Sequence, residues 1–317
     1  MLKTIFPQAS NLIYGCMGLG GGWESSRYDS SHINQAEEVI ETAIDSGIRV
    51  FDHADIYTHG KAEAVFGEVL KKKPSLRDKM ILQSKCAIRF KDDLGPKRYD
   101  FSTEWIRSSV EHSLRRLHTE QLDILLLHRP DPLMQPEQLA DVISQLISEG
   151  KIAHIGVSNM HAHQIAFLET ALNMPVIVNQ LEMSLAHRDW LEDGLTTGSK
   201  LNRHVGYAPG TLEYCWTHNV QLQAWGSLAQ GRFSGRPTQS TQDEVTTALV
   251  RQLAENYSTS AEAIILAWLM RHPIGIQPVV GTTNIHRIRA CAQANNLTLS
   301  REDWYLLLET ARGQEVP

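Results

Sequence analysis

The sequence predicts an α/β fold in which short strands alternate with longer helices, either as a closed (β/α)₈ barrel or as an open doubly wound sheet. The first observation is the alternation itself, which repeats seven or eight times over most of the 317 residues. The second is that the strand-like segments are near-continuous apolar runs, as expected for parallel strands covered by helices. The third is that no change in composition separates two domains, so we predict a single domain over residues 1–317.

Apolar runs supply the strands of this fold. An early apolar segment lies at residues 12–14 and brings the count of strand-like runs to eight, the number that a barrel requires. The other seven runs lie near residues 50–51, 80–82, 124–127, 155–157, 176–178, 222–224 and 278–280. We predict one strand at each position.

Helix signals lie between the predicted strands. Residues that favour an N-cap or a first turn stand at Ser30 or Ser31, Ser102 or Thr103, Pro136, Ser258 or Ser260, and Ser300. Gly47 and Gly150 follow two of these segments, as glycine commonly does at a helix end. The glycine-rich residues 190–210 break the pattern, and we predict a long loop there that interrupts one β/α unit.

Composition and charge exclude several classes of protein. The formal net charge is −6, so the chain lacks the basic character of a nucleic-acid-binding protein. The longest apolar run, residues 263–270, is much too short to cross a bilayer, and residues 1–7 lack the apolar core of a signal peptide. The four cysteines are widely spaced, which favours a reducing compartment. We expect a cytoplasmic protein that is a monomer by default, with an oligomer left open.

Two motifs begin in the chain but are not completed. Residues 18–20 start like a dinucleotide-binding glycine fingerprint, but Trp23 stands where the third glycine is needed. Residues 156–159 start like a nucleophile elbow, but Met160 replaces its final glycine. The sequence therefore favours neither a Rossmann site nor a serine hydrolase.

The 14 histidines raise the question of a metal site. His161 and His163 are two residues apart, so on a helix their side chains point away from each other. His53 stands at a predicted strand end between Asp52 and Asp55, and both carboxylate and imidazole bind metals. We assign no metal ligand, but His53 keeps a metal-dependent barrel hydrolase open as an alternative.

Four polar residues stand at or just beyond the carboxyl ends of early strands. Asp52, Lys85 and His128 each follow an apolar run, and Tyr57 lies five residues beyond Asp52. In a parallel barrel these ends converge on one face, where barrel active sites lie. We therefore expect the four side chains to meet.

This set of residues suits a proton donor. A tyrosine has an ordinary pKa of about 10, and a neighbouring Lys85 ammonium is expected to lower it, with Asp52 holding the ammonium in place. Neutral His128 then orients a substrate carbonyl against Tyr57. Reduction of a carbonyl also needs hydride, which no side chain supplies, so a nicotinamide is the economical source.

The same residues lie in segments that resemble the aldo-keto reductases. Residues 47–57 (GIRVFDHADIY), continued by Glu63 and Gly67, are similar to the first signature of that family. Residues 84–86 (SKC) and 127–131 (LHRPD) match its Lys and His elements, and residues 150–159 (GKIAHIGVSN) resemble its second signature. The likeness covers most of the chain and is strongest to a bacterial subgroup of oxidoreductases.

The resemblance implies a single (β/α)₈ TIM barrel with an N-terminal capping segment and long loops at the carboxyl-end face, holding NADP(H) across that face. By position, Ser158, Asn159 and Gln180 are expected to form hydrogen bonds with the nicotinamide carboxamide, because their side chains offer donors and acceptors. Trp225 stands where the family commonly has tyrosine and is expected to stack on the nicotinamide. The other implied cofactor contacts are Cys16 and Met17 beside the nicotinamide and Gly226, Ser227, Leu228 and Gly231 around the pyrophosphate.

The adenosine end of the cofactor corresponds to residues 281–287. Gly281 stands where many relatives have lysine or arginine, and by position Gly281, Thr282, Thr283 and Arg287 are the implied contacts of this end. Arg287 supplies one positive charge that can pair with the 2′-phosphate of NADPH. The resemblance therefore implies NADPH, and Gly281 leaves NADH open.

The hypothesis that these residues favour is an NADP(H)-dependent reductase of small aldehydes or ketones. A nucleotide-sensing or partner-binding protein with little turnover is the second hypothesis, since potassium-channel β subunits of the same family illustrate it, and the metal hydrolase is the third. We expect Trp23 and the loop at residues 190–210 to form walls of the substrate pocket.

Overall fold

The structure, a computed structural model, describes residues 1–24, 27–199 and 206–317. Within these residues eight parallel strands form a closed barrel, and two further strands form an antiparallel hairpin. The strands, numbered along the chain, are β1 (Ile13–Gly15), β2 (Val50–Asp52), β3 (Ile81–Cys86), β4 (Ile88–Arg89), β5 (Arg98–Tyr99), β6 (Leu122–Leu127), β7 (Ile152–Ser158), β8 (Val178–Glu182), β9 (Gln221–Trp225) and β10 (Gln277–Val280). The prediction of a closed barrel is confirmed, and β4 and β5 form the hairpin.

The order of the strands around the barrel follows the order of the chain. The ring runs β1, β2, β3, β6, β7, β8, β9 and β10, and β10 pairs back to β1 through Tyr14 and Val280. All eight predicted strand positions coincide with or overlap these strands, but the run at residues 176–178 lies early, since β8 begins at Val178. The strand therefore contains three polar residues, Asn179, Gln180 and Glu182, that the apolar run did not include.

The helices cover the outside of the barrel, and the first of them covers its amino end. They are α1 (Leu2–Ile5), α2 (Ser30–Asp45), α3 (Lys61–Lys72), α4 (Thr103–Leu117), α5 (Pro136–Ser148), α6 (Ala162–Leu172), α7 (Asp189–Leu195), α8 (Thr211–Thr217), α9 (Thr241–Asn256), α10 (Ala261–Met270), α11 (Ile285–Ala292) and α12 (Arg301–Arg312). Ser102, Ser260 and Ser300 are N-caps, within the predicted choices. The predicted cap at Ser30 or Ser31 is wrong, because the Asp29 carboxylate accepts the first free N–H groups of α2.

The amino end of the barrel is closed by the first residues of the chain. Leu2, which is 1% exposed, packs into a cluster with Ile13, Val50 and Ile81 at the amino ends of β1, β2 and β3. Its backbone N–H donates to Gln221 Oε1 at 3.3 Å. The predicted N-terminal capping segment is confirmed, and the opposite face of the barrel is left for ligands.

The connection between β8 and β9 contains more helix than the sequence predicted. Residues 190–210 were expected to form one long loop, but α7 covers much of the first part, and residues 200–205 lie outside the described chain. Trp190 fixes α7 because its buried indole packs against Trp268 and His272. Glu192 adds an ion pair to Arg312 at 2.7 Å.

Gly67 marks the closest approach of two helices. A Cβ atom at Gly67, in the middle of α3, would lie 1.9 Å from the carbonyl oxygen of Arg116 in α4. We predict that Gly67→Ala lowers the free energy of unfolding by about 3 kcal/mol, because backbone must move to accept the methyl group. Urea unfolding measures this change. Gly194→Ala in α7 is the control, since its Cβ would meet nothing within 4 Å and alanine favours helix; equal losses in both variants would contradict the prediction.

Candidate active site

Polar side chains from three neighbouring strands and one turn meet at the carboxyl face. Asp52 ends β2, Lys85 lies near the end of β3, and His128 directly follows β6. Tyr57 begins a short 3₁₀ turn that follows β2. The structure thus brings together the four residues that the sequence singled out.

A buried ion pair organises this group. Lys85 Nζ lies 2.7 Å from both carboxylate oxygens of Asp52, and each residue is 1% exposed. The same ammonium donates to the backbone carbonyl of His53 at 2.9 Å and to the Tyr57 hydroxyl at 3.0 Å. Burial alone lowers the pKa of Lys85, but the nearby Asp52 carboxylate and the Tyr57 hydroxyl raise it by more than burial lowers it. The net pKa is therefore raised, and the lysine is charged at neutral pH.

Tyr57 is held as a protonated phenol. Burial raises its pKa above the ordinary value of about 10, and the Lys85 charge offsets only part of that rise. The expected net lowering by Lys85 is therefore wrong, because desolvation of the phenolate is the larger effect. The Tyr57 phenol is therefore protonated at neutral pH.

His128 faces Tyr57 as a neutral imidazole. The two rings lie edge to face with centroids 6.1 Å apart. Burial lowers the pKa of His128 to about 2, and the positive charges of Lys85, Arg129 and Lys97 contribute to the shift. Its Nδ1 atom has no hydrogen-bond partner among the residues that the structure describes. The lowered pKa agrees with the expectation that His128 is neutral at neutral pH.

A row of glutamine side chains supports Asp52 from inside the barrel. Gln83 Nε2 donates to Asp52 Oδ1 at 2.5 Å, and the Gln83 and Gln223 amides bond reciprocally at 2.9 and 3.0 Å. Gln180 Nε2 also donates to Gln223 Oε1, at 3.0 Å. The sequence analysis missed Gln83 and Gln223, although an amide inside an otherwise apolar strand was a usable signal.

A second polar layer lies behind the first. Glu63, fully buried in α3, accepts from Ser84 Oγ at 2.6 Å and from Arg116 Nε at 2.8 Å. Burial raises the pKa of Asp55 to about 8, and repulsion from Glu63 adds to the rise. Glu63 and Asp55 thus form a buried acidic layer close to the turn that carries Tyr57.

A cleft of about 820 Å³ opens above the four residues. Asp52, Tyr57 and His128 line one end, while Lys85 lies behind them. The predicted cofactor residues that also line it are Met17, Ser158, Asn159, Gln180, Trp225, Gly226, Ser227, Leu228, Gly231, Gly281, Thr282 and Arg287. Twelve of the 14 residues predicted to bind the cofactor thus border one continuous space.

Two predicted cofactor residues do not line this cleft. Cys16 is fully buried and its Sγ faces the carbonyl oxygen of Tyr14 at 3.8 Å. Thr283 packs near Gly18, where an added Cβ would meet its methyl group at 3.3 Å. Their roles toward a cofactor stay predictions.

Hydrogen bonds fix the wall opposite Tyr57. Trp225 Nε1 donates to Asn159 Oδ1 at 3.1 Å, and Asn159 Nδ2 donates to Ser158 Oγ at 2.7 Å. Ser158 Oγ donates in turn to the carbonyl of Gln180 at 2.9 Å. Asn159 has φ = 59°, a conformation that asparagine tolerates better than most residues. The indole of Trp225 is consequently held by its edge, and it borders the cleft.

The far end of the cleft carries positive charge. The segment 226–231 has left-handed backbone at Gly226, Ala229, Gln230 and Gly231, with φ of 67°, 45°, 57° and 86°. Arg287, 53% exposed, lies 3.9 Å from Glu262, and Arg232 pairs with Asp243 at 2.8 Å. Arg232 and Arg236 line this end and were missed, because no motif marks them.

The structure does not support the alternative of a metal-dependent hydrolase. The described residues contain no group of three or more His, Cys, Asp or Glu side chains arranged to hold a metal ion. His53 is fully buried against Phe66, at a ring separation of 4.5 Å, and burial lowers its pKa to about 3. The position of His53 therefore reflects packing.

No helix within the described residues combines the length and apolar character needed to span a membrane.

Comparison with known proteins gives one consistent result. The model of the Aldo/keto reductase family matches residues 11–311. A 6-dehydroglucose reductase of Agrobacterium fabrum is 34% identical over 98% of this chain and 96% of its own length. Oxidoreductase YdhF of Escherichia coli is 35% identical over 99% and 98%, respectively.

A solved structure agrees with these matches at the level of the fold. An aldo-keto reductase from Klebsiella pneumoniae, in complex with NADPH, superposes with a TM-score of 0.71 at 24% identity, covering 98% of this chain and 92% of that one. The expected resemblance is confirmed, including the likeness to the bacterial oxidoreductases. From the barrel, the site and the family match, the chain belongs to the aldo/keto reductase family.

Proposed function

We propose that this protein is an NADP(H)-dependent reductase of aldehydes and ketones in which Tyr57 is the proton donor. The observation that carries the proposal is the 3.0 Å contact between Lys85 Nζ and the Tyr57 hydroxyl at the end of the cleft. The contact joins a charged, buried ammonium to a protonated phenol. That arrangement supplies a proton and stabilises the anion left behind.

Each member of the group has a distinct part in the reaction. The Tyr57 hydroxyl proton moves to the carbonyl oxygen of the substrate, and Lys85 stabilises the resulting phenolate. Asp52 holds Lys85 in place through two contacts of 2.7 Å. Neutral His128 donates a hydrogen bond to the same carbonyl oxygen and orients it. A reduced nicotinamide, when bound in the cleft, would supply the hydride.

The cleft residues suit a dinucleotide. The volume of about 820 Å³ falls in the range of cofactor pockets, and its polar wall beside the flat face of Trp225 matches a carboxamide-bearing ring. Ser158, Asn159 and Gln180 would hold the carboxamide, residues 226–231 the pyrophosphate, and Arg287 the 2′-phosphate. The NADPH complex of the Klebsiella pneumoniae reductase supports this choice of cofactor.

The Agrobacterium relative suggests one neutral substrate to test. Because that protein is named a 6-dehydroglucose reductase, a sugar aldehyde belongs in the first substrate panel beside simple aromatic and aliphatic aldehydes. Consumption of NADPH with any of them, measured at 340 nm, supports a reductase. Tight NADPH binding without turnover on a broad panel favours the nucleotide-sensing hypothesis instead.

We predict that Tyr57→Phe lowers kcat by about 10²–10⁴-fold and leaves the dissociation constant for NADPH within about threefold. The substitution removes only the hydroxyl group that donates the proton. Steady-state kinetics and calorimetric titration measure the two quantities. Tyr305→Phe, far from the cleft, is the matched control. Near-normal turnover in Tyr57→Phe rejects Tyr57 as the acid.

We predict that kcat/KM for reduction stays level from about pH 5 to pH 9 and falls only at more alkaline pH. His128, with its pKa lowered to about 2, stays neutral throughout that range. The raised pKa of Tyr57 keeps the phenol protonated below about pH 10, and its proton is lost as the pH rises further. A decline near pH 6.5 that disappears in His128→Asn contradicts this assignment.

We predict that Arg287→Gln raises the dissociation constant for NADPH by about tenfold or more and leaves that for NADH within about twofold. A charge-assisted bond to phosphate has this magnitude, and NADH lacks the 2′-phosphate. Calorimetric titration measures both affinities. Arg289→Gln, in the same helix but outside the cleft lining, is the control. Equal losses for NADPH and NADH contradict a role at the 2′-phosphate.

A further inference from the structure

Two positive side chains lie near His128, at the end of the cleft that Asp52 and Tyr57 line. Arg129 directly follows His128, is half-buried and lines the cleft. Lys97 approaches from the turn between β4 and β5 and is exposed. Both lie close enough for their charges to lower the pKa of the His128 imidazole.

Neither cation is paired with a carboxylate among the residues that the structure describes. In the described chain, Arg129 and Lys97 form no salt bridge and no side-chain hydrogen bond. The nearest acidic residues along the chain are committed elsewhere: Asp131 accepts from the N–H groups of Phe101 and Leu133 at 2.9 Å, and Asp100 pairs with Arg89. Residues 25–26 and 200–205 include no Asp or Glu.

The proposed cofactor phosphates do not serve as the missing partners. In the ring of strands, β6 and β10 are separated by four steps in either direction, so they lie on opposite sides of the barrel. Arg129 follows β6, whereas Gly281 and Arg287 follow β10. The pyrophosphate segment follows β9, three strands from β6. Arg129 is therefore on the substrate side.

We propose that Arg129 binds an oxyanionic group of the substrate, so that the preferred substrates are aldehydes or ketones that carry a carboxylate. A half-buried guanidinium without a counter-ion is costly, and its planar donors match a carboxylate in bidentate geometry. Lys97, a solvated point charge at the rim, attracts the same anion and adds less to its affinity. This specificity rests on the proposed reductase function.

Carboxylate-bearing aldehydes and their neutral esters test the proposal. Glyoxylate, 4-oxobutanoate and 4-carboxybenzaldehyde, each beside its methyl ester, vary the distance between the carbonyl and the charge. We expect at least one acid to exceed its ester by about tenfold in kcat/KM. Arg129→Gln lowers the acid-to-ester ratio of kcat/KM by about tenfold, mainly through KM, and Arg129→Lys restores part of that ratio. Lys97→Gln lowers the ratio less, and its effect depends on salt concentration. Lys71→Gln, an exposed lysine of α3, controls for net charge and leaves the ratio unchanged.

Two results overturn the proposal: esters that are reduced as well as every acid, or an acid preference that survives in Arg129→Gln. If Arg129→Gln does not fold, Arg129→Lys decides in its place, since loss of the fork geometry must also lower the ratio. If no aldehyde is reduced, the proposed function fails separately. Calorimetric titration of NADP⁺-loaded protein with the same acids and esters then decides the anion site: acids must bind about tenfold more tightly than esters, and equal affinities overturn it.

Discussion

The contact between Lys85 and Asp52 is the interaction on which the rest of the site depends. Two opposite charges, each 1% exposed, are held 2.7 Å apart inside the barrel. Removing such charges from water costs several kcal/mol per ion, and their attraction repays this only when further hydrogen bonds complete the geometry. Gln83, the carbonyl of His53 and the Tyr57 hydroxyl supply those bonds. The pair consequently fixes a tyrosine, a strand end and a turn in one arrangement.

Barrel topology is what allows the pair to form. Adjacent parallel strands deliver Asp52 and Lys85 to the same face in register, with Asp52 opposite Gln83. The amino end is filled by Leu2 and the aliphatic residues around it, whereas the charged side chains of the site gather at the other end. The apolar packing at the amino end and the polar site at the carboxyl end are thus separated along the barrel axis. The glutamine row lies between them and is bonded to Asp52 of the site.

Periodicity and strand-end residues were sufficient to predict an α/β fold and the four residues around Tyr57, because both follow from local pattern, whereas the resemblance to the aldo-keto reductases selected the closed barrel over an open sheet. Contacts between distant strands were not predictable in this way: the Gln83–Gln223 pair joins residues 140 positions apart. Asp29 was overlooked as a cap because serines at the next two positions offered the same chemistry. The helix at α7 escaped because its stabilising partner, Trp268, lies far along the chain. The raised pKa of Tyr57 depended on a balance of burial and charge that sequence does not reveal.

The indole of Trp225 is tied at its edge by Asn159 while the residue remains half-buried and borders the cleft. A tryptophan in that position is an optical reporter built into the protein. Its emission depends on the polarity and the electronic character of whatever covers the ring, so occupancy of the cleft is readable without a label. Seven tryptophans share the signal, and Trp23 also borders this space. Replacing Trp23 with phenylalanine would simplify the spectrum, so that a change in emission on binding could be assigned to Trp225.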